Sequence, residues 1–231
     1  MTFVSVVDVP VAIRNPILTC DGISATVNML VQSVEHKVEK ILYASSGFIY
    51  GNAPVPISER CDPQPLNPYN IAKATGEHYV KFFNAHYKLP CVILRYAPTY
   101  GPRRNIGPIN DYILSMLQGN RTQIYGYKTR DYIYVQDVAL ANLIALEAVE
   151  NFAIYNIGTG VEVCLQDIYK LIAELLGVDN NPELCESKNS EIDRFVLDVS
   201  KADIELGFKH NVNIKSGLQK TIDWVREKYG L

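Results

Sequence analysis

Continuously apolar runs of five or six residues alternate along the chain with longer stretches whose apolar positions recur every three to four residues. The runs Lys40–Ser45, Cys91–Tyr96 and Ala153–Ile157 are rich in β-branched and aromatic residues, which predicts strands buried on both faces of a parallel sheet. Shorter strands are predicted at Gln123–Tyr125 and Phe195–Asp198, and Phe3–Val7 is a further β-prone run. Helical periodicity covers Ile23–Val38, with Val27, Leu30, Val31 and Val34 on one face. Asn67-Pro68 reads as the cap and first residue of a helix that runs to Lys88, before Pro90. Its predicted buried stripe is Ala72, Gly76, Tyr79, Val80, Phe83 and Tyr87. More helices are predicted at Asp111–Leu117, Val138–Val149, Leu165–Leu176 and Ile214–Lys228. This alternation predicts an α/β fold, a partial doubly wound parallel sheet with a smaller C-terminal lobe.

A length of 231 residues suits one large domain, or one domain with an appended lobe. With 22 basic and 25 acidic residues the net charge is −3, which lacks the electrostatic footprint of a nucleic-acid binder. The longest apolar stretch, Val138–Val149, is broken by Asn142 and Glu147, so no membrane span is expected. Met1–Ala12 contains Asp8 and no basic residue, unlike a secretory signal, and the expected compartment is the cytoplasm. The five cysteines (Cys20, Cys61, Cys91, Cys164 and Cys185) are scattered and form no C-x-x-C pair, so buried reduced thiols and no metal site are expected.

Candidate chemistry begins at Tyr69-Asn-Ile-Ala-Lys73, where a phenol and an ammonium share one helical face at i and i+4. An unperturbed tyrosine is a poor base at neutral pH. An ammonium ~5 Å away, at an effective dielectric of ~20, favours the phenolate by ~3 kcal/mol, or ~2 pKa units. The spacing alone also fits a surface Tyr and Lys packed side by side. The strand ending at Ala44 leads into Ser45-Ser46-Gly47, at the end of a sheet where ligands of open α/β folds bind. Ser46 there could share a proton with a substrate hydroxyl, or could simply cap a turn.

The motifs then become specific. Tyr43-Ala-Ser-Ser-Gly-Phe-Ile-Tyr-Gly51 resembles the Ser-Ser-x-x-Val-Tyr-Gly segment of the NAD-dependent epimerase/dehydratase family, the extended short-chain dehydrogenases/reductases. Pro68-Tyr-Asn-Ile-Ala-Lys73 resembles its Pro-Tyr-x-x-x-Lys helix. Leu94–Pro102, Arg130–Val138, Tyr155–Gly160 and the pair Asp198–Ala202 and Leu206–Phe208 resemble four later motifs in the same order. The resemblance implies a Rossmann-like part over 1–98 and 132–162, and a substrate-binding lobe over 99–131 and 163–231. It implies Ser46, Tyr69 and Lys73 as catalytic residues that also touch NAD, with Tyr96 beside the cofactor. Arg130 would grip the diphosphate of a nucleotide sugar, a UDP-sugar above others, although an ion pair with Asp131 or Asp137 is the structural alternative. Gln123 and Tyr125 would pack by the nucleobase, and Lys188 or Arg194 would reach phosphate. Relatives commonly form homodimers.

The resemblance also bears on the reaction. Dehydratases of the family carry carboxylates just after the strand-end Ser/Thr, where this chain has Gly47-Phe48. That favours epimerisation, with Tyr69 moving a hydroxyl proton while hydride is exchanged with NAD through a keto sugar. Two departures stand against it. Pro98 occupies a position where many relatives place a substrate-contacting Asn. None of the 14 glycines forms the family's Gly-x-x-Gly-x-x-Gly turn, which receives the cofactor pyrophosphate at a helix N-terminus. Two readings are therefore carried forward. One is a nucleotide-sugar epimerase whose pyrophosphate-binding part is supplied elsewhere. The other is a non-catalytic remnant that keeps a sugar-nucleotide pocket or a scaffold role. In either, the strand near Ile41–Ala44 is expected at a sheet edge.

Overall fold

The computed structural model describes residues 9–179, 181–186 and 192–230. The chain runs α1 (Val9–Arg14), α2 (Leu18–Glu35), β1 (Ile41–Ser46), a 3-10 turn (Gly47–Tyr50), α3 (Pro68–Tyr87), β2 (Cys91–Tyr96), β3 (Thr99–Tyr100), α4 (Pro108–Leu117) and β4 (Gln123–Tyr125). It continues through β5 (Thr129–Arg130), β6 (Ile133–Tyr134), α5 (Val135–Glu147), β7 (Phe152–Ile157), β8 (Val163–Cys164), α6 (Leu165–Leu176), β9 (Glu183–Cys185), β10 (Arg194–Phe195), α7 (Ser200–Leu206) and α8 (Ile214–Tyr229).

The main sheet is parallel, in the order β1-β2-β7, with Ile41 opposite Cys91 and Cys91 opposite Phe152. Alternation along the strands divides its side chains between two cores. Ile41, Tyr43, Cys91 and Ile93 pack against Leu30 of α2 and Val80 and Phe83 of α3. Leu42, Val92, Leu94, Ala153 and Tyr155 face Ala141 and Ala145 of α5 together with Phe195, Leu197 and Phe208. A third core, built by α4, α6 and α8 around Ile113, Tyr169 and Ile222, forms the smaller lobe. At the outer edge of β7, Lys201 Nζ donates to Ile154 O (2.9 Å) and the Asn156 N–H donates to Glu59 Oε1 (2.8 Å). These side chains occupy backbone groups that a further strand would use.

Several expectations shift. β1 ends the sheet among the described residues, as expected. Phe3–Val7 lies outside the described residues, and Val9–Arg14 just after it is helical. α2 starts five residues earlier than its apolar period suggests; Thr19, Thr26 and Ser33 join Leu30 on the buried face, while Val31 is exposed. Small hydroxyl residues fit there because Thr26 and Ser33 return their hydroxyls to carbonyls four residues back (2.8 and 2.6 Å). On α3, Tyr79 and Tyr87 face outward, and the buried face instead carries Asn70, Lys73 and Glu77. The predicted α3 boundaries are close: Asn67 accepts from the Asn70 N–H (3.0 Å), and Lys88 ends the helix in the left-handed region at φ 58°. The predicted strand Phe195–Asp198 is shorter and earlier, with only a bridge from Ile57 to Leu197 beyond it. All five cysteines are free thiols, but only Cys91 and Cys164 are buried and Cys20 is exposed.

Candidate active site

The C-terminal ends of β1 and β2 bring Ser46 and Tyr96 into register, one strand apart. Ser46 is buried, and its Oγ accepts from the Phe48 N–H (3.2 Å), capping the 3-10 turn. The turn-capping role is therefore real, and it leaves the hydroxyl proton available to a ligand. The first turns of α3 present Tyr69, half-buried, and Lys73, 6% exposed, at the same rim. Lys73 Nζ donates to Ala44 O (2.7 Å) and lies 5.9 Å from the Tyr69 ring centre and 5.6 Å from that of Tyr43. Burial lowers the Lys73 ammonium to about 8. Tyr96 donates from its hydroxyl to Asn142 Oδ1 (2.8 Å), and burial raises its pKa.

Two cavities lie next to this rim, bordered by its chain neighbours Phe48, Pro68 and Asn70 and not by Ser46, Tyr69, Lys73 or Tyr96 themselves. The larger, about 720 Å³, lies between α1, the 3-10 turn and the start of α3, and is bordered by Ile13, Arg14, Phe48, Asn67, Asn70 and Arg130. The smaller, about 250 Å³, opens toward the lobe and is bordered by Phe48, Pro98, Arg104, Asn110, Arg130 and Tyr132. Phe48 and Arg130 border both, with the guanidinium carbon 5.7 Å from the Phe48 ring centre. Arg130 Nη1 donates to Thr129 O (2.7 Å) and Asp193 O (3.2 Å). Burial raises the Tyr132 phenol to about 12, while the Arg130 and Arg104 charges pull the other way.

The acids adjacent to Arg130 have other partners. Asp131 accepts from the Thr159 N–H (2.8 Å), the Thr159 hydroxyl (2.6 Å), the Gly160 N–H (3.1 Å) and the Leu197 N–H (3.5 Å). Burial raises its pKa, and those four bonds oppose the rise. Asp137 accepts from the Asn211 and Val212 N–H groups (2.9 and 3.1 Å).

Gln123 and Tyr125 border neither of these two cavities: Tyr125 donates to Gln123 Oε1 (2.6 Å), and Gln123 Nε2 donates to Glu183 (3.1 Å). Arg194 is 63% exposed and forms a bidentate pair with Glu162 (2.8 and 2.7 Å), which holds that carboxyl well below its usual range. Lys188 lies outside the described residues.

Residues to which the motifs assign no role also gather at the rim. Ser45, Glu77, Arg95, Tyr50 and Asn156 form one buried polar chain behind it. The available signal was Arg95 itself, a lone cation in the otherwise apolar run Cys91–Tyr96, which must find a buried partner. Asn110, 5% exposed, borders the smaller cavity, and its Oδ1 has no hydrogen-bond partner among the described residues. A Cβ at Gly47 would lie 2.6 Å from Phe195 Cζ, so a side chain at that position requires the Phe195 ring to shift. Among the described residues, no helix is long and apolar enough to cross a membrane.

A profile of the NAD dependent epimerase/dehydratase family matches residues 3–158. A Methanocaldococcus jannaschii protein with a provisional UDP-glucose 4-epimerase name is 34% identical over 224 residues, covering 93% of this chain and 72% of its own. The bovine dTDP-D-glucose 4,6-dehydratase is 32% identical over 206 residues, covering 84% of this chain and 58% of its own. Among solved structures, the UDP-glucose 4-epimerase of Thermotoga maritima, crystallised with UDP-glucose, superposes with a TM-score of 0.92 at 31% identity. That match covers 98% of this chain and 76% of the other.

Proposed function

Because the chain belongs to the NAD-dependent epimerase/dehydratase family, we propose that it serves as a nucleotide-sugar 4-epimerase of the UDP-glucose 4-epimerase kind. The observation that carries the choice over dehydration is the Gly47-Phe48 pair. The two positions after Ser46 carry no carboxylate, and a side chain at Gly47 would require the Phe195 ring to shift. Both epimerases and dehydratases stand among the relatives, and this local feature is what favours epimerisation.

The rim's donor set fits the nicotinamide end of NAD. An ammonium, a phenol and a hydroxyl from Lys73, Tyr69 and Ser46 suit ribose hydroxyls, with Tyr96 beside them. When bound, NAD supplies the reversible hydride exchange that passes through a keto sugar. The chain's own residues handle protons and position. Tyr69 takes the proton of the reacting sugar hydroxyl and returns it. Lys73, anchored on Ala44 O, presents positive charge to the phenol and favours its ionised form. Ser46 shares its hydroxyl proton with the same sugar oxygen. Arg130 holds the diphosphate at the junction of the two cavities, where guanidinium geometry suits phosphate oxygens.

Incubation with UDP-glucose at millimolar NAD, followed by proton NMR of the anomeric region, tests this reading. The expected product is the C4 epimer. A 4-keto-6-deoxy product, or no conversion, overturns it.

A further inference from the structure

Glu77 follows Tyr69 and Lys73 at helical spacing, so the three lie along one stripe of α3. Its carboxylate is 1% exposed and accepts three hydrogen bonds. They come from Ser45 Oγ (2.6 Å), Arg95 Nε (2.9 Å) and Arg95 Nη2 (2.6 Å). Arg95, 2% exposed, also donates from Nη1 to the Tyr50 hydroxyl (2.7 Å). Tyr50 donates onward to Asn156 Oδ1 (2.8 Å), and the Asn156 amide donates to Ile57 O (2.8 Å) and Asp198 O (3.2 Å).

A fully buried ion pair does little for stability compared with apolar residues of similar volume, because desolvation offsets the attraction. This pair is saturated with directional bonds, and its partners adjoin the rim. Ser45 precedes Ser46, Arg95 precedes Tyr96, and Tyr50 closes the turn that Ser46 opens. Two strand ends, one turn and the helix bearing Tyr69 and Lys73 thus converge on one carboxylate.

We propose that Glu77 is a positioning residue that clamps the Ser45–Ser46 end of β1 and the Tyr50 turn against α3, and that its charge, one helical turn from Lys73, balances Arg95. The inference rests on the reading of Ser46, Tyr69 and Lys73 as reacting groups. Its tests need no turnover, so the clamp and that reading fail separately. Among the described residues, the titratable groups set against Lys73 are Tyr69 and Glu77 on its own helix and Tyr43 from β1, while Arg95 from β2 and Tyr50 from the turn connect to it through Glu77.

Glu77→Gln keeps the shape and leaves the Arg95 charge uncompensated. Removing a negative charge one helical turn from Lys73 is expected to lower the Lys73 titration midpoint, by about one pH unit for charges ~10 Å apart at an effective dielectric of ~20. NMR titration of lysine-labelled protein reads the shift, which a purely structural role would not produce. Ser45→Ala removes one bond and no charge. It is expected to leave the Lys73 midpoint in place while speeding hydrogen exchange at the Phe48 amide about tenfold, although that amide's own bond to Ser46 is untouched. If Glu77→Gln does not fold, the Ser45→Ala arm decides alone. A Lys73 midpoint in Glu77→Gln within about 0.3 unit of the native value, or a Phe48 amide in Ser45→Ala that exchanges no faster, overturns the proposal.

Discussion

Replacing Lys73 with Met turns the cost of burying its ammonium into a measurable quantity. The folded chain holds Lys73 near about 8 against an ordinary 10.5, because burial disfavours the charged form. At pH 7 the side chain is charged in both folded and unfolded states, and the folded state bears the whole cost. The difference of about 2.5 units corresponds to about 3 kcal/mol. As pH rises through about 8 the folded protein releases this proton before the unfolded chain does, so the cost fades and is gone above the unfolded value. Integrating the two titrations gives a gain of about 2.5 kcal/mol between pH 7 and pH 10. Met keeps the apolar stem and cannot ionise. Urea denaturation across that range, with and without Lys73→Met in a Tyr69→Phe background and the difference taken as Lys73 minus Lys73→Met stability, cancels the other titrating groups and removes the phenol that Lys73 itself would shift. The lost bond to Ala44 O adds only a constant offset. The difference should therefore move toward the protein that keeps Lys73 by about 2.5 kcal/mol as pH rises. A difference flat to within about 0.5 kcal/mol would refute the buried-ammonium argument.

Three other outcomes are expected. Tyr69→Phe should cut any epimerase turnover by about 10²–10⁴ while leaving the denaturation midpoint nearly unchanged, which paired kinetic and melting measurements check. Residues 1–231 alone should bind NAD weakly, since they contain no Gly-x-x-Gly-x-x-Gly turn for the pyrophosphate; a micromolar dissociation constant by calorimetry would contradict this. Gly76→Ala should destabilise the fold by about 1–3 kcal/mol in chemical denaturation, because the added methyl runs into the Tyr43 hydroxyl at the contact of α3 with β1.

The sheet was largely legible because a fully buried parallel strand must be a continuous apolar run, and Cys91–Tyr96 is recovered to the residue. Helix faces were harder. The period over Ile23–Val38 places Val31 inside, but the buried face of α2 runs along Thr19, Thr26 and Ser33; the hydroxyls of Thr26 and Ser33 bond to carbonyls of their own helix, and that of Thr19 to Pro16 O just before it. The short strands at 129–130 and 163–164 were invisible, since two residues carry no period. The rim residues were legible through their motif spacing, whereas the Glu77–Arg95 pair depends on contacts between α3 and β2 that no local pattern encodes. Arg194 shows the same limit from the other side: its nearness in sequence to a phosphate-binding position says nothing of Glu162, 32 residues away, which occupies it.

Arg130 and Asp131 are neighbours with opposite addresses. One borders both cavities; the other is fully buried and fastened to the turn after β7 by Thr159 and Gly160. Under the assignment proposed above, the diphosphate anchor is thereby fixed to the same rigid rim that holds the proton-transfer group. The span between them then acts as a length gauge, and a bound sugar is registered by the number of bonds separating its reacting carbon from the phosphates. Substrates would be sorted by reach before any hydroxyl is recognised. A sugar one bond too short or too long would be held firmly at one end and left out of register at the other.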